Sequence, residues 1–249
     1  MKYRIDGDNL ELVTLQIGGN ETIYGETGSL TYMSGNVEMK TERKGGIMDG
    51  IKRSASGESY YLTKFETIGG EGIVSFGGKS PGRILPFDVQ PGSEYIVQRN
   101  AYLCSEAGVD IDTHMQKKLG KIFFGGEGMF LQKLTGTGTA FIHVTGDLVE
   151  KELNPQELLK VSTSHVAAFE PSVKFDVERV GGIKSSLFGG EGFFMTTLQG
   201  PGKVWLRSLT LSDLGAALSK HISTDSSSSS SSSSSGKTGI KVGGFNISK

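Results

Sequence analysis

Three stretches decide the fold: Gly57-Glu58-Ser59-Tyr60-Tyr61-Leu62-Thr63-Lys64-Phe65, Gly126-Glu127-Gly128-Met129-Phe130-Leu131-Gln132-Lys133-Leu134 and Gly190-Glu191-Gly192-Phe193-Phe194-Met195-Thr196-Thr197-Leu198. They read as one pattern at offsets of 69 and 64. A second element keeps step upstream. Val89-Gln90-Pro91-Gly92 answers to Leu153-Asn154-Pro155-Gln156, and Ala107-Gly108-Val109-Asp110-Ile111 to Pro171-Ser172-Val173-Lys174-Phe175, both at 64. Gly35-Asn36-Val37-Glu38-Met39 stands 72 before its second copy. The change from 72 to 69 predicts a three-residue insertion within Thr41–Ser56. Two elements sharing one offset argue for three diverged copies, at about 10–83, 84–147 and 148–211.

Within each copy the pattern is that of strands. Tyr61, Thr63 and Phe65 alternate with Tyr60, Leu62 and Lys64. Successive strand side chains point to opposite faces, so apolar residues on both phases mean one buried face and one partly buried face. Gly136 and Gly138, then Gly200 and Gly202, bound these strands as turn residues. Strands resume at Ala140-Phe141-Ile142-His143-Val144 and at Lys203-Val204-Trp205-Leu206-Arg207. Asn154-Pro155-Gln156-Glu157 reads locally as a helix start, with an N-cap before a proline. Its counterpart, Gln90-Pro91-Gly92-Ser93, reads as a turn into a strand, and the shared unit favours the turn. Helix is expected only at Ser212–Leu218. The expected fold is therefore all-β: three tandem repeats stacked about a pseudo-threefold axis as a β-helix-like sandwich, with a short C-terminal helix, over residues 1–218. Stacking buries faces that a single unit would leave in water.

Composition agrees. The chain has 249 residues, of which 37 are glycine and only 6 proline, as many tight turns require. Lys plus Arg number 26 against 27 Asp plus Glu, and such a balance argues against a nucleic-acid partner, whose affinity rests on cationic side chains. Cys104 is the only cysteine, so no internal disulfide forms. The stretch Met1–Asp8 has no apolar core and carries Asp6 and Asp8, unlike a signal or transit peptide. No apolar run reaches the roughly 18–20 residues of a membrane-spanning helix. These features predict a cytoplasmic protein. Ser226–Ser235 is an unbroken serine run, and residues 219–249 are expected to be a disordered tail.

At the glycine-glutamate strands the chain becomes recognisable. Leu187-Phe188-Gly189-Gly190-Glu191-Gly192-Phe193-Phe194-Met195-Thr196-Thr197-Leu198-Gln199-Gly200-Pro201-Gly202-Lys203-Val204-Trp205-Leu206 resembles the hallmark of the family of altered inheritance of mitochondria protein 24. Pro81–Asp88 and Ala101–Val109 resemble it too, and the likeness covers about residues 1–215. It implies a sandwich similar to the tryptophan RNA-binding attenuation protein, with three such units in one chain. The yeast mitochondrial member implies a role in inner-membrane organisation. The serine run departs from the family's usual end.

No motif compels a chemistry. Gly77-Gly78-Lys79-Ser80 ends like a phosphate loop, but Ile73 stands where its first glycine belongs and Pro81-Gly82 follows where a helix must begin. Gly236-Lys237-Thr238 fails likewise at Ser231. His114, His143, His165 and His221 show no metal-ligand spacing, and His143, alternating within a strand, is expected at the surface or a barrel end. Cys104 follows Ala101-Tyr102-Leu103 and is expected to be buried packing. Glu58, Glu127 and Glu191 fall at equivalent places in the three copies. They would converge on a cation if they face the axis, and would merely begin strands if they face outward. Arg43, Lys44, Lys117, Lys118 and Lys121 lie in hairpin loops of two copies, but the third offers only Arg179 and Lys184, a thin rim for RNA. No catalytic residue, resident metal or cofactor is assigned, and the ligand-binding residues are unknown. The reading is a non-catalytic structural or protein-interaction protein, with a protein partner expected and a homo-oligomer left open. A nucleic-acid or small-ligand binding module on the same fold is the alternative.

Overall fold

The computed structural model describes residues 1–26, 28–42, 62–114, 131–180, 193–219, 221, 240–242 and 245–247. After β1 (Lys2–Asp6), strands follow in three sets of six among the described residues. The first set is β2 (Leu12–Ile17), β3 (Ile23–Glu26), β4 (Leu30–Met33), β5 (Val37–Glu42), β6 (Leu62–Thr67) and β7 (Gly72–Gly77). The second is β8 (Gly82–Val89), β9 (Tyr95–Gln98), β10 (Tyr102–Glu106), β11 (Val109–His114), β12 (Leu131–Gly136) and β13 (Gly138–Thr145). The third is β14 (Leu148–Leu153), β15 (Leu158–Ser162), β16 (Val166–Phe169), β17 (Lys174–Val180), β18 (Phe193–Gln199) and β19 (Gly202–Arg207).

One antiparallel pairing scheme recurs in each set. The last strand lies between the first and the third, as in β2-β7-β4, β8-β13-β10 and β14-β19-β16. The fifth lies between the second and the fourth. Even the irregularities coincide: the register shifts between Leu30 and Tyr32, between Tyr102 and Cys104, and between Val166 and Ala168. An extra residue at these places bends the strand and tightens its twist.

Two ladders join the sets. β3 pairs with β10 and β9 pairs with β16, giving two six-stranded sheets of matching order, β5-β6-β3-β10-β13-β8 and β11-β12-β9-β16-β19-β14. By the same scheme β15 would meet β4. Instead β4 ends the sheet β1-β2-β7-β4, and β15 ends the sheet β15-β18-β17. All the sheets are open.

Burial follows the sequence pattern where one face is wet. In β2, Val13, Leu15 and Ile17 are buried, and Leu12, Thr14 and Gln16 are half-buried. Central strands differ: β10 and β16 are buried along nearly their whole length, and β13 from Ala140 to Thr145, because layers cover both faces. The core gathers in three clusters, around Tyr102, Phe87 and Trp205, around Phe65, Phe76 and Phe141, and around Phe169, Leu198 and Val204. At the last hairpin of the second and third sets, Gly138 (φ 139°) and Gly202 (φ 137°) open β13 and β19 in a conformation that a side chain rarely adopts.

The segment Asn154–Glu157 is a turn, not a helix. Glu157 Nα–H donates to the Asn154 carbonyl at 3.0 Å, and the Glu157 carboxylate accepts from Asn154 N and Nδ2 at 2.9 and 3.0 Å. Gln156 sits at φ 70°, where the counterpart turn has Gly92 at φ 89°. A left-handed glutamine costs on the order of 1 kcal/mol more than glycine. Gln156→Gly is therefore expected to raise stability by up to about 1 kcal/mol, less whatever the exposed Gln199–Gln156 hydrogen bond contributes, as read from a urea melt.

Contacts divide the chain into Met1–Ser208 and Leu209–Lys249. The second unit contains α1 (Leu211–Ser219), matching the helix expected at Ser212–Leu218, and a hairpin of β20 (Ile240–Val242) with β21 (Phe245–Ile247). A reciprocal cap starts the helix: Thr210 Oγ1 accepts from Asp213 N at 3.0 Å, and Asp213 Oδ2 accepts from Thr210 Oγ1 at 2.7 Å. The serine run Ser226–Ser235 and, of the stretch Thr41–Ser56 where the insertion is expected, everything after Glu42 lie outside the described residues.

Candidate functional site

Glycine-rich links carry the chain from one set to the next, and these links meet. Gly82 N donates to Asn9 O at 2.6 Å, and Gly146 N donates to Pro81 O at 2.9 Å. Leu10 bridges Gly82 in parallel, and Gly82 bridges Gly146 in parallel. Three short segments of like polarity, each preceding the first strand of its set, thus lie side by side. Backbones approach this closely only without a side chain between them: a Cβ on Gly82 would stand inside contact distance of Val144 O.

Polar side chains gather at this crossing. Glu11 is buried, accepting from Ile84 N at 2.5 Å and pairing with Arg83 Nε at 2.8 Å. Ser80 Oγ and Thr145 Oγ1 share a buried hydrogen bond of 3.0 Å. The link Gly77–Gly82 runs from β7 to β8 with no helix, so it cannot act as a phosphate loop.

His143 and Arg207 are the notable pair. In the register of the first and last strands, Leu12 faces Gly77, Ile84 faces His143 and Leu148 faces Arg207. The two basic side chains hold the same place in successive sets. His143 is only 7% exposed, which corrects its expected surface position. Alternation implies exposure only where one face is wet, and β13 is covered on both. Gly78 lies against the imidazole so closely that a Cβ would overlap the ring. Burial lowers the pKa of His143 below its ordinary 6.5, a hydrogen bond with the Ser80 backbone opposes this, and the charge of Arg207 lowers it further.

The sign for stability follows. As pH falls, the unfolded chain takes up this proton first, near 6.5, so stability present above that value is lost toward the lower folded pKa. The melting midpoint is expected to drop from pH 7.5 to 5.5, and His143→Asn to flatten that slope. An unchanged slope would show that the imidazole is not buried.

Arg207 is also 7% exposed. Its Nη2 donates to Gln98 Oε1 and to Val166 O, the latter at 3.4 Å, and its backbone carbonyl lies 2.7 Å from His165 Nδ1. Burial lowers its pKa to about 10, so it stays cationic at neutral pH. Its buried Nε has no partner, and among the described residues no carboxylate lies within ion-pair distance.

The other expected positions divide. Cys104 is buried, and burial pushes its thiol pKa well up, as suits packing rather than attack. Glu58, Glu127, Glu191, Arg43, Lys44, Lys117, Lys118, Lys121 and Lys184 lie outside the described residues, and Arg179 is described only as part of β17. Among the described residues no three His, Cys, Asp or Glu side chains group so as to hold a metal. None of their helices is long and apolar enough to cross a membrane. Sequence reasoning missed Glu11 and Arg207. The signal for Arg207 was present, since it follows His143 at the offset of 64 that separates matching positions in the second and third strand sets.

The fold and crossing define an open-sheeted, all-β protein in which one pairing scheme recurs three times around a polar meeting point. The chain belongs to the AIM24 family, mitochondrial biogenesis AIM24, which it matches over residues 3–209. An uncharacterised protein of Streptococcus pyogenes serotype M6 is 25% identical over 236 residues, 91% of this chain and 93% of that protein. The X-ray crystal structure of a protein from Streptococcus pyogenes superposes with a TM-score of 0.71 at 24% identity, covering 88% of this chain and 98% of that one. That likeness speaks to the fold alone.

Proposed function

We propose that this chain is a non-catalytic structural or protein-interaction protein acting in the cytoplasm, built from three copies of one β unit about a pseudo-threefold axis, like the tryptophan RNA-binding attenuation protein. Supporting the triplication are the recurrent pairing scheme, the coincident bulges and the parallel crossing of Asn9–Leu10, Pro81–Gly82 and Thr145–Gly146. Copies related by rotation about an axis along those segments would run parallel there.

The interaction role rests on one observation. β4 and β15 each end a sheet, whereas their counterparts in the other sets are paired on both sides. Unpaired strand edges are templates for a partner strand. The side chains differ in the same sense: Tyr32 and Leu158 are exposed, while β10 and β16, the counterparts of β4, are buried. Affinity capture from the native host, compared with a Tyr32→Lys/Leu158→Lys variant of unchanged melting midpoint, tests this. A set of proteins captured by the wild type and lost in the variant is expected. Identical sets, or none above control, would remove the edges as the interaction surface.

A further inference from the structure

We infer that the free edge of β4 pairs with the free edge of β15 from a second copy of this chain, in one more antiparallel ladder of the kind that joins the strand sets. This rests on the reading of the two edges as an interaction surface and names the partner.

The strands that end sheets differ in one respect. An edge that must stay single is blunted by charge or proline, which a neighbouring strand cannot accommodate. β1, β5, β8, β11, β14 and β17 each end a sheet, and each carries such residues, among them Arg4, Lys40, Pro86, Asp112, Lys151 and Asp176. β4, Leu30-Thr31-Tyr32-Met33, carries neither charge nor proline, and β15 has only Lys160. These two edges lack the device that keeps the others apart.

The two junctions within the chain supply the register. β3–β10 sets Gly25 opposite Cys104 and Tyr24 opposite Ser105, and β9–β16 sets Val97 opposite Ala168 and Ile96 opposite Phe169. The matching places are Val161 and Lys160 in β15, and Tyr32 and Met33 in β4. Tyr32 therefore faces Val161, and Met33 faces Lys160. Backbone direction agrees. Ser34 N donates to Ile73 O at 2.9 Å, so Ser34 and Tyr32 turn toward β7 and Met33 turns its N–H and C=O outward. Glu157 O accepts from Gly200 N at 3.1 Å, so Leu159 and Val161 turn toward β18 and Lys160 turns outward. The residues with free backbone groups are the ones the register sets opposite each other. Tyr32 against Val161 is an aromatic and β-branched pair, a favourable cross-strand combination, and no like charges meet.

In the folded chain β4 and β15 end different sheets, so the mate of each comes from another molecule. One edge belongs to the third strand of a set and the other to the second. The contact is therefore heterologous, and copies join head to tail.

Sedimentation velocity of the full chain from low to high micromolar concentration, with amide exchange at Met33 and Lys160, tests the inference. Reversible association, and slow exchange at both amides when the protein is concentrated, are expected. Lys160→Pro removes the outward donor at an exposed position and should abolish association at an unchanged melting midpoint. If that variant does not fold, cysteines decide. Tyr32→Cys mixed with Val161→Cys under mild oxidation should give a disulfide-linked pair, and neither variant alone should. Opposed residues of a non-hydrogen-bonded pair stand about 4.5 Å apart at Cα, within disulfide reach, and Cys104 stays buried. Association that survives Lys160→Pro, or a mixture that does not cross-link, would overturn the inference. A monomer whose two amides exchange freely would overturn it too, while leaving the edges open to a different protein. A monomer with both amides protected, and a disulfide inside a Tyr32→Cys/Val161→Cys chain, would show the ladder closed within one molecule and remove the edge reading as well.

Discussion

An alanine at Gly82 is expected to destabilise the folded chain by about 3 kcal/mol, the upper end of what overpacking a dense site costs. Its Cβ would overlap Val144 O and stand 2.7 Å from His143 Nε2 and 2.9 Å from Thr145 Cα. Two of these atoms are backbone and cannot swing aside as a side-chain end could. Nor can Gly82 retreat. It pairs with Thr145 in the β8–β13 ladder, donates to Asn9 O, and bridges both Leu10 and Gly146. Relief on one side breaks a contact on another. In urea the midpoint should fall with little change in slope, while Gly69→Ala, with nothing within 4 Å of its added Cβ, should stay within about 0.5 kcal/mol of the parent. A Gly82→Ala protein as stable as that control would contradict the close crossing.

Phe141→Ala should cost about 3–5 kcal/mol, the range for emptying a large buried aromatic site. Phe141 is fully buried in β13, between β8 and β10. Tyr3 of β1 meets its ring edge-on, with centroids 4.9 Å apart, and Leu15, Phe65, Phe76 and Cys104 share its cluster. Because that cluster draws on the first and second sets, the cavity would loosen their junction as well as the local packing. For a chain of this length the loss corresponds to a midpoint lower by roughly 6–20 °C in calorimetry. Phe141→Leu should restore most of it. A fall of only 1–2 °C for alanine would mean that the two sets do not pack through this ring.

Much of the architecture was legible because glycine and aromatic residues recur at fixed offsets. Gly57, Gly126 and Gly190 carry the period, and Pro91 and Pro155 place the turns. The period is less uniform than those residues reveal. In the ladders, Gly25 corresponds to Val97 at 72 and Phe65 to Leu134 at 69, but Phe76 corresponds to Ile142 at 66, so the β6–β7 turn carries three more residues of its own. This was hidden because Ser75, Phe141 and Trp205 share one place in the pairing scheme and almost no chemistry. Covered on both faces, those strands are free to exchange small and large side chains if their neighbours compensate.

The crossing was harder to read for a related reason. Glu11 leads into the first strand set and Arg83 lies in the second, and only the folded links bring them to 2.8 Å. The burial of His143 depends on Gly78 and Gly82, whose lack of side chains reads in the sequence as turn formation or as part of a phosphate loop. Arg207 sits at the end of a strand, where a basic residue is ordinarily solvated. The strand ladders β3–β10 and β9–β16, and the missing one at β4 and β15, follow from the packing of whole strand sets and leave no local mark.

Amide hydrogen exchange at Gly82 and Gly146, followed by NMR, tests most directly whether the three strand sets meet as described. Both N–H groups bond across the crossing, to Asn9 O and Pro81 O. They should be protected within about tenfold of the β13 core amides, since both would open only when the sets separate. Exchange at the rate of an unstructured link would contradict the meeting of the three sets.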